Sequence, residues 1–351
     1  MHNLTSSTGS MKISETVGES SNSRQSTDGV TGVRNTYHEG PSSGQTVLYA
    51  PFSAPDIIDQ ALGKNEIRFD NGKPMLPVIA VNDEKKAELE SHLHDKRLSE
   101  TYNPTHAINF INEVSEKIEA LKLKAKTDPQ LRDMPDDQLE RLCGEVVREQ
   151  YGSAKFDRLM ETSRKVIRSA TILKQMEIRS NENGLELSKL TSKLDKLYVL
   201  GHGGAGKDIL SGTQDLADKK AIISSKLLSK QFQEGGLPKG FRDFRVAACY
   251  SADTREPASF SPDDLKKASE PKYKRSGFLH LGRKVMERQP FAQSLSKSLV
   301  DDGFTNPVVT GYHGAGVSHG ANGHKAQRLP HANDLTTRSS LVRERFSSDK
   351  T

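Results

Sequence analysis

Two residues suited to nucleophilic chemistry follow short apolar runs in the second half of the chain. His202 comes directly after KLYVLG (196–201), and Cys249 ends the run FRVAAC (244–249). A cysteine nucleophile needs a base that takes its proton and N–H donors that stabilise the oxyanion. The stretch between the two residues is long enough for a strand end, a loop, a crossover helix and a second strand. The spacing therefore predicts Cys249 as nucleophile and His202 as general base, at one edge of a parallel sheet.

Neighbouring residues supply candidates for the rest of such a site. Gly203 has no side chain, so its N–H can approach a substrate carbonyl, and we expect the amides of Gly203 and Cys249 to form the oxyanion site. Asp253 is a candidate for the substrate pocket, where it would favour a basic side chain; capping the next element is the alternative. His313 is a second pocket candidate. It opens the glycine-rich stretch 313–324, which we predict to be a mobile loop at the active-site edge.

The stretch GHGGAGK (201–207) also allows a different chemistry. It matches the first seven positions of a phosphate-binding P-loop. The next residue of a P-loop is Ser or Thr, whose hydroxyl binds Mg²⁺, but this chain has Asp208 there. The next apolar run ends in Cys249 rather than in the aspartate that would complete the metal site. A P-loop nucleotide binder is therefore an alternative that lacks both expected metal ligands.

The elements expected to position these residues alternate between strand and helix. Three apolar runs that end in turns are separated by two candidate helices: 196–201, 214–233, 244–249, 285–301 and 307–312. This alternation is typical of an α/β fold with a largely parallel sheet. We therefore expect residues 186–325 to form one α/β domain, followed by a basic flexible tail at 326–351.

Residues 46–185 have a mostly helical pattern instead. Apolar side chains recur at helical spacing in 108–121, 136–150 and 155–180, and 74–83 has the composition of one short buried strand. Cys143 lies in one of these helices, where a small core residue is expected rather than a second nucleophile. No chemical motif falls on the helices. A non-catalytic protein that binds a host target through this region, with the α/β part as scaffold, is therefore the alternative from another functional class.

The His/Cys pair, its order and its strand context resemble the clan CD cysteine peptidases, which include caspases, clostripain, separase and the autoprocessing domains of large bacterial toxins. Members carry an apolar strand before His-Gly and a later apolar strand that ends in Ala-Cys. This chain has YVLG before His202-Gly203, and RVA before Ala248-Cys249. The likeness is closest to the RTX-toxin cysteine protease domain, whose later helix and strand would correspond to 294–314. The resemblance implies a caspase-like sheet with flanking helices and a cysteine endopeptidase that cleaves a host protein or itself.

The resemblance also implies an anionic activator, because the toxin domains are activated by inositol hexakisphosphate bound to a basic patch. The basic residues available for such a patch lie close together in the sequence: Lys266, Lys267, Lys272, Lys274, Arg275, Arg283 and Lys284. A solvated surface is the competing interpretation of this charge run. We expect no metal site, since His313, His319 and His324 lie on a glycine-rich stretch without the spacing of zinc ligands.

Amino-acid composition indicates which parts of the chain fold and how the protein is exported. Hydrophobic residues are 33% of the 351 residues, and the mean hydropathy is −0.67, which is low for a fully globular chain. Residues 1–45 are rich in Ser, Thr, Gly and Asn, so we expect a disordered leader, of a composition typical of bacterial type III secretion signals. No apolar segment near the N-terminus fits a Sec signal peptide.

Net charge and the number of cysteines limit the expected binding partners and the expected cellular compartment. A net charge of +5 permits an anionic partner but gives no reason to expect nucleic acid. No apolar run is long enough for a transmembrane helix. Two cysteines make no disulfide framework, which favours a reducing compartment. The sequence therefore predicts a secreted bacterial effector, a thiol protease with a role in virulence, that acts in the host cytoplasm.

Overall fold

The structure is a computed structural model that describes residues 44–191, 194–216, 221–275, 284–317 and 324–347. The helices are α1 (Pro55–Asp70), α2 (Asp83–Leu98), α3 (Thr105–Ala125), α4 (Asp136–Tyr151), α5 (Ser153–Gln175), α6 (Ser225–Glu234), α7 (Pro262–Ser269) and α8 (Phe291–Asp301). The strands are β1 (Thr46–Ala50), β2 (Val78–Ala80), β3 (Ile178–Ser180), β4 (Lys196–Leu200), β5 (Ile209–Ser211), β6 (Ile222–Ser224), β7 (Asp243–Ala247), β8 (Lys272–Arg275), β9 (Lys284–Arg288), β10 (Val308–Tyr312), β11 (Ala315–Val317), β12 (Ala326–Leu329), β13 (Ala332–Arg338) and β14 (Arg343–Ser347). The predicted leader lies outside the described residues except for Gly44 and Gln45.

A seven-stranded sheet in the order β14-β10-β7-β4-β1-β2-β3 forms the centre of the molecule. Every neighbouring pair in it is parallel except β10 and β14, which are antiparallel. Strands buried on both faces by helices need apolar side chains throughout, and the inner strands have them: Val47, Leu48, Leu197, Val199, Phe244 and Val246 are all inaccessible to solvent. The predicted largely parallel α/β fold is confirmed.

The expected boundary at residue 186 is wrong. Residues 43–351 form one compact unit, because β1, β2 and β3 all come from 46–185 and lie in the same sheet as β4, β7 and β10. Strand β1 pairs with β4 on one side and with β2 on the other, so it lies in the interior of the sheet. The three predicted helices in this region are confirmed as α3, α4 and α5, and the single predicted strand is confirmed as β2.

The predicted flexible tail at 326–351 is also corrected. Strand β14 pairs with β10 along its whole length and forms one edge of the central sheet. Strands β12 and β13 join β11 in a separate antiparallel sheet of three strands. Within 284–301, the predicted helix is α8 and begins later than expected, because the first residues form β9.

Helix α1 begins at a residue that favours a helix N-terminus. Pro55 is at the first helical position, where its fixed φ suits the helix and its missing N–H is no loss. One face of the helix is buried through Ile57, Ile58, Ala61 and Leu62. None of the described helices is long and apolar enough to cross a lipid bilayer.

Candidate active site

The sheet brings His202 and Cys249 to the same edge of the molecule. Strands β4 and β7 are parallel neighbours, and their last paired residues are Leu200 and Ala247. His202 and Cys249 therefore each lie two residues beyond the end of the pairing. Both line one cleft of about 460 Å³. The structure thus brings the two predicted residues to the lining of one cleft.

His202 is held by its backbone and contacts a carboxylate through its ring. Its N–H donates to the Ser211 carbonyl at 2.7 Å, and its own carbonyl accepts from the Ser211 N–H at 2.9 Å. The ring atom Nε2 lies 3.0 Å from Oδ2 of Asp56, in the first turn of α1. A carboxylate beside a histidine fixes the ring orientation and stabilises the imidazolium that forms when the histidine takes a proton. Asp56 was not among the predicted site residues, and nothing in its local sequence indicates this role.

Cys249 lies at a sharp turn after β7. Tyr250 has φ 56°, in the left-handed region that residues other than glycine rarely occupy, and its N–H donates to the Gly314 carbonyl at 2.8 Å. This turn ends the strand and presents Cys249 at its tip. The Gly316 N–H, on β11, points at the Cys249 sulfur at 3.3 Å.

The environment of the thiol favours its protonated form. Burial raises the pKa of Cys249, and the Gly316 N–H and the Arg328 guanidinium only partly oppose that rise. A thiol with a raised pKa is a weak nucleophile at neutral pH, because the thiolate is the reactive species. Attack on a carbonyl therefore requires a base that removes the proton, and His202 lies in the same cleft.

Gly203 lies against the backbone of Cys249. A β-carbon at this position would come within 2.7 Å of the Cys249 carbonyl oxygen and 3.2 Å of the Ala248 β-carbon, so only glycine fits without displacement. Among the described residues, the Gly203 N–H has no protein acceptor, whereas the Cys249 N–H is directed at its own sulfur. The Gly203 donor is therefore available to a substrate oxygen, and the Cys249 donor becomes available only when it leaves the sulfur.

Asp253 and His313, the predicted pocket residues, do not line the cleft. Asp253 is inaccessible to solvent and His313 is 3% exposed. His313 Nδ1 lies 2.6 Å from Oδ1 of Asp253, and its Nε2 lies 3.3 Å from Oε2 of Glu344. A buried aspartate paired with a histidine cannot also receive a basic substrate side chain, so the predicted preference for basic residues loses its support.

This buried pair instead supports the turn that carries the nucleophile. The second carboxylate oxygen of Asp253 accepts the Gly314 N–H at 2.8 Å, and Gly314 in turn accepts the Tyr250 N–H. Burial disfavours a charged His313, but its hydrogen bonds to Asp253 and Glu344 prevail and raise the pKa of His313 to about 9. Burial likewise raises the pKa of Asp253.

The geometry of 201–207 differs from a P-loop. In that motif the lysine opens a helix whose N-terminal amides face the phosphates. Here residues 205–208 form a turn, and the chain then enters β5 at Ile209. The segment therefore has the glycines and the lysine of the motif but not its helix.

The other residues considered in the sequence are Cys143, the basic cluster and the histidines of the glycine-rich stretch. Cys143 is 4% exposed and lies in α4, as expected of a core residue. The basic cluster at 266–284 is exposed where the structure describes it: Lys266 and Lys267 on α7, Lys272, Lys274 and Arg275 on β8, and Lys284 on β9. Arg283 is outside the described residues. Within the predicted glycine-rich loop, Ala315–Val317 form β11 next to Cys249 and His324 lines the cleft, whereas residues 318–323, which include His319, are outside the described residues.

Comparison with known proteins found no match: no family model, no curated protein and no solved structure is similar to this chain.

Proposed function

We propose that this protein is a cysteine endopeptidase in which Cys249 is the nucleophile and His202 the general base. One observation carries the proposal: the neighbouring strands β4 and β7 lead to His202 and Cys249, and both residues line the same cleft. The Asp56 carboxylate at 3.0 Å from the His202 ring gives the base the orienting partner that such a pair uses.

The proposed chemistry follows from these groups. His202 takes the proton of Cys249, and the sulfur attacks the carbonyl carbon of the scissile peptide bond. The N–H groups of Gly203 and Cys249 stabilise the negative oxygen of the tetrahedral intermediate. As the intermediate collapses, His202 gives the proton to the leaving amine and a thioester remains. Water, activated by the same histidine, then hydrolyses the thioester and restores the thiol.

A clan CD-type, caspase-like assignment is the finer part of the proposal. It is supported by the order histidine before cysteine, by the parallel strands that end at them, and by the helices on both faces of the sheet. Activation by inositol hexakisphosphate remains an expectation from the resemblance to RTX-toxin domains. The β8–β9 hairpin gives it little support, because its basic side chains are exposed and spread along two strands.

The two cysteines provide a matched test of the proposal. Purified wild-type protein, Cys249→Ala, Cys143→Ala and His202→Ala would each be incubated with denatured host-cell lysate, and new N-termini would be identified by mass spectrometry. We expect wild type and Cys143→Ala to produce the same cleavage sites, and Cys249→Ala and His202→Ala to produce none. Cleavage by Cys249→Ala at the wild-type rate would refute the assignment.

The proposed setting, secretion into a host cell, rests on the composition of residues 1–45. A chain that lacks residues 1–42 should keep its cleavage activity in vitro but fail to reach host cells when it is expressed in its own bacterium. Keeping Gly44 and Gln45 matters, because the Gln45 N–H donates to the Asp195 carboxylate at 2.6 Å. Delivery of the shortened chain at normal levels would remove the secretion hypothesis and leave the peptidase proposal intact.

A further inference from the structure

A second group of side chains lines the same cleft as the His/Cys pair. Tyr198 on β4 is paired with Arg245 on β7, and both line this cleft. Tyr198 lies four residues before His202, and Arg245 lies four residues before Cys249. At about 3.3 Å per residue, Tyr198 and Arg245 are roughly 13 Å from His202 and Cys249 along the cleft.

Helix α1 runs beside β4 and spans the same distance. Asp56 contacts the His202 ring, Gln60 accepts the Gly201 N–H at 2.8 Å, and the Lys64 ammonium lies 4.4 Å from the centre of the Tyr198 ring. These α1 residues follow one another at intervals of four, which places them on one helix face. At 1.5 Å per residue, Asp56 and Lys64 are about 12 Å apart, in agreement with the spacing along the strands.

Two lysines at this far end of the cleft lie beside each other. Lys64 is 8% exposed, and Lys325 is partly buried. Burial and the neighbouring Lys64 lower the pKa of Lys325 well below its ordinary value, and burial lowers the pKa of Lys64, although Tyr198 partly opposes this. Among the described residues, neither lysine has a carboxylate partner. The lowered pKa values favour loss of a proton from the pair, because two neighbouring ammonium groups repel each other. An anion between them would relieve that repulsion and favour the charged form of both.

The other cation in this group is already neutralised. Arg245 donates through Nε and Nη2 to the two carboxylate oxygens of Asp243, at 2.9 Å each, and through Nη1 to the Tyr198 hydroxyl at 3.0 Å. The described lining of the cleft includes several more lysines and arginines but no aspartate or glutamate. The described lining of the cleft is therefore basic, and Lys64 and Lys325 are two lysines of that lining that lie beside each other.

Lys325 is also connected to the nucleophile through the small sheet. Ala326, the next residue, pairs with Val317, and Gly316 beside it donates its N–H to the Cys249 sulfur. An extended peptide that lies along the cleft would thus contact the reacting sulfur at one end and the lysine pair at the other. At about 3.3 Å per residue, the roughly 13 Å between them corresponds to four substrate residues.

We propose that the cleft recognises an acidic side chain in its substrate, about four residues from the scissile bond, through Lys64 and Lys325. This inference rests on the proposed peptidase function. The position of the lysines favours a substrate carboxylate over a separate polyphosphate ligand, because they line the same cleft as Cys249, at a distance that an extended peptide spans.

The specificity can be measured on peptides without knowledge of the natural substrate. A chymotryptic digest of a bacterial proteome would be incubated with the full-length protein, and mass spectrometry would report residue frequencies on both sides of each cleaved bond. We expect Asp and Glu to be enriched about fivefold three to five residues from the bond, on one side of it. Cleavage sites with no enrichment of Asp or Glu in that window would overturn the inference.

Substitution of the lysines tests the assignment to these side chains. In Lys64→Met, Lys325→Met and the double variant, the acidic enrichment should fall while cleavage of peptides without acidic residues continues. Lys226→Met is the matched control, because Lys226 is exposed on α6 and does not line the cleft. Thermal melting would check that each variant is folded. If Lys64→Met does not fold, Lys325→Met alone tests the assignment, because the Lys325 side chain is only partly buried, and enrichment at the wild-type level in that variant would count against the inference. Acidic enrichment that persists in the folded double variant would overturn the inference.

Further results distinguish a failure of this inference from a failure of the peptidase proposal, and a substrate site from an effector site. If wild type cleaves no peptide, the peptidase proposal fails, and the specificity falls with it. If sodium tripolyphosphate raises cleavage of all peptides equally, and the rise requires Lys64 and Lys325, the pair is an effector site and the substrate assignment is overturned. If tripolyphosphate instead inhibits, most strongly for acidic peptides, it competes for the substrate position and the inference is supported.

Discussion

At the scale of single residues, the Asp56 carboxylate bears on how well His202 would act as the proposed base. In such a pair the imidazole must present one nitrogen to the thiol while the other is held in place. Oδ2 of Asp56 lies 3.0 Å from Nε2, without the alignment of a hydrogen bond, and α1 carries it on a helix with a buried face. A small rotation of the ring would misalign the proton transfer, and such misplacements lower rates by up to about a hundredfold.

We therefore predict that Asp56→Asn lowers kcat/KM for peptide cleavage by about tenfold to a hundredfold and leaves the fold intact. Asp59→Asn is the matched control, since Asp59 lies on the same helix but pairs with Lys96 rather than with His202. Steady-state rates on one cleaved peptide, together with melting curves, would check this. Equal rates for Asp56→Asn and wild type would mean that the carboxylate does not orient the base.

A second prediction at this scale concerns His313 and pH. Its pKa is about 9 in the folded protein, against about 6.5 in an unfolded chain, because of the Asp253 and Glu344 carboxylates. The folded state binds the proton more tightly, so this stabilisation is fully present below pH 6.5 and is lost as the pH rises through 9. The Tm of wild type should therefore fall between pH 6.5 and pH 9.5 by more than the Tm of His313→Gln.

The comparison remains informative if His313→Gln does not fold. Glu344→Gln removes one of the two carboxylates and keeps the histidine, so its Tm should depend on pH less steeply than that of wild type. Tm curves that run parallel for wild type and both variants would show that His313 does not carry the pH dependence.

At the scale of secondary structure, strand β14 stands out, because it lies in the segment 326–351 that the sequence predicts to be a flexible tail. Strand β14 has the sequence RERFS, in which three charged residues precede a single large apolar one. Phe346 is 9% exposed and belongs to the core, where it pairs across the strands with Val309. Because β14 lies at the edge of the sheet, its other side chains can remain in solvent, which explains its polar composition.

We predict that Phe346→Ala lowers the free energy of unfolding by about 3 kcal/mol, the usual cost of removing a buried phenyl ring. Leu341→Ala, at a side chain that is 74% exposed, should change it by less than about 0.5 kcal/mol. Urea unfolding of both variants would measure the difference. A small effect at Phe346 would mean that β14 does not stabilise the sheet.

The sequence predicts elements of this fold where one local pattern determines them. Strands β4, β7 and β10 are found because each is a continuous apolar run that ends in a turn, and the His202/Cys249 pair is found because both residues follow such runs. Strand β14 is missed because an edge strand needs no such run. Asp56 is missed because its contact with His202 depends on how α1 packs, and the predicted pocket roles of Asp253 and His313 fail because sequence spacing does not reveal burial.

At the scale of the whole molecule, the two halves of the chain are joined in one sheet. Strand β1 is hydrogen-bonded to β4, and α1, which follows it, supplies Gln60 and Lys64 to the cleft and places Asp56 beside His202. The apparent division of the sequence near residue 186 therefore separates two patterns of composition and not two domains. Strands β4 and β7, which lead to His202 and Cys249, come from one half, and α1, which contacts β4, comes from the other.

We accordingly predict that residues 186–351 do not fold alone. Without β1, the full edge of β4 would lose its hydrogen-bonding partner, and Leu197 and Val199 would lose the core that α1 and β1 provide. Residues 43–351 should unfold in a single cooperative transition, whereas the fragment 186–351 should show no such transition and should react with a thiol reagent at Cys249 as fast as a free cysteine does. Calorimetry and alkylation rates would measure both properties, and mixing the fragment with residues 43–185 should restore slow alkylation if the halves assemble. A fragment that melts cooperatively by itself and protects Cys249 would show that the α/β peptidase region is an independent domain after all.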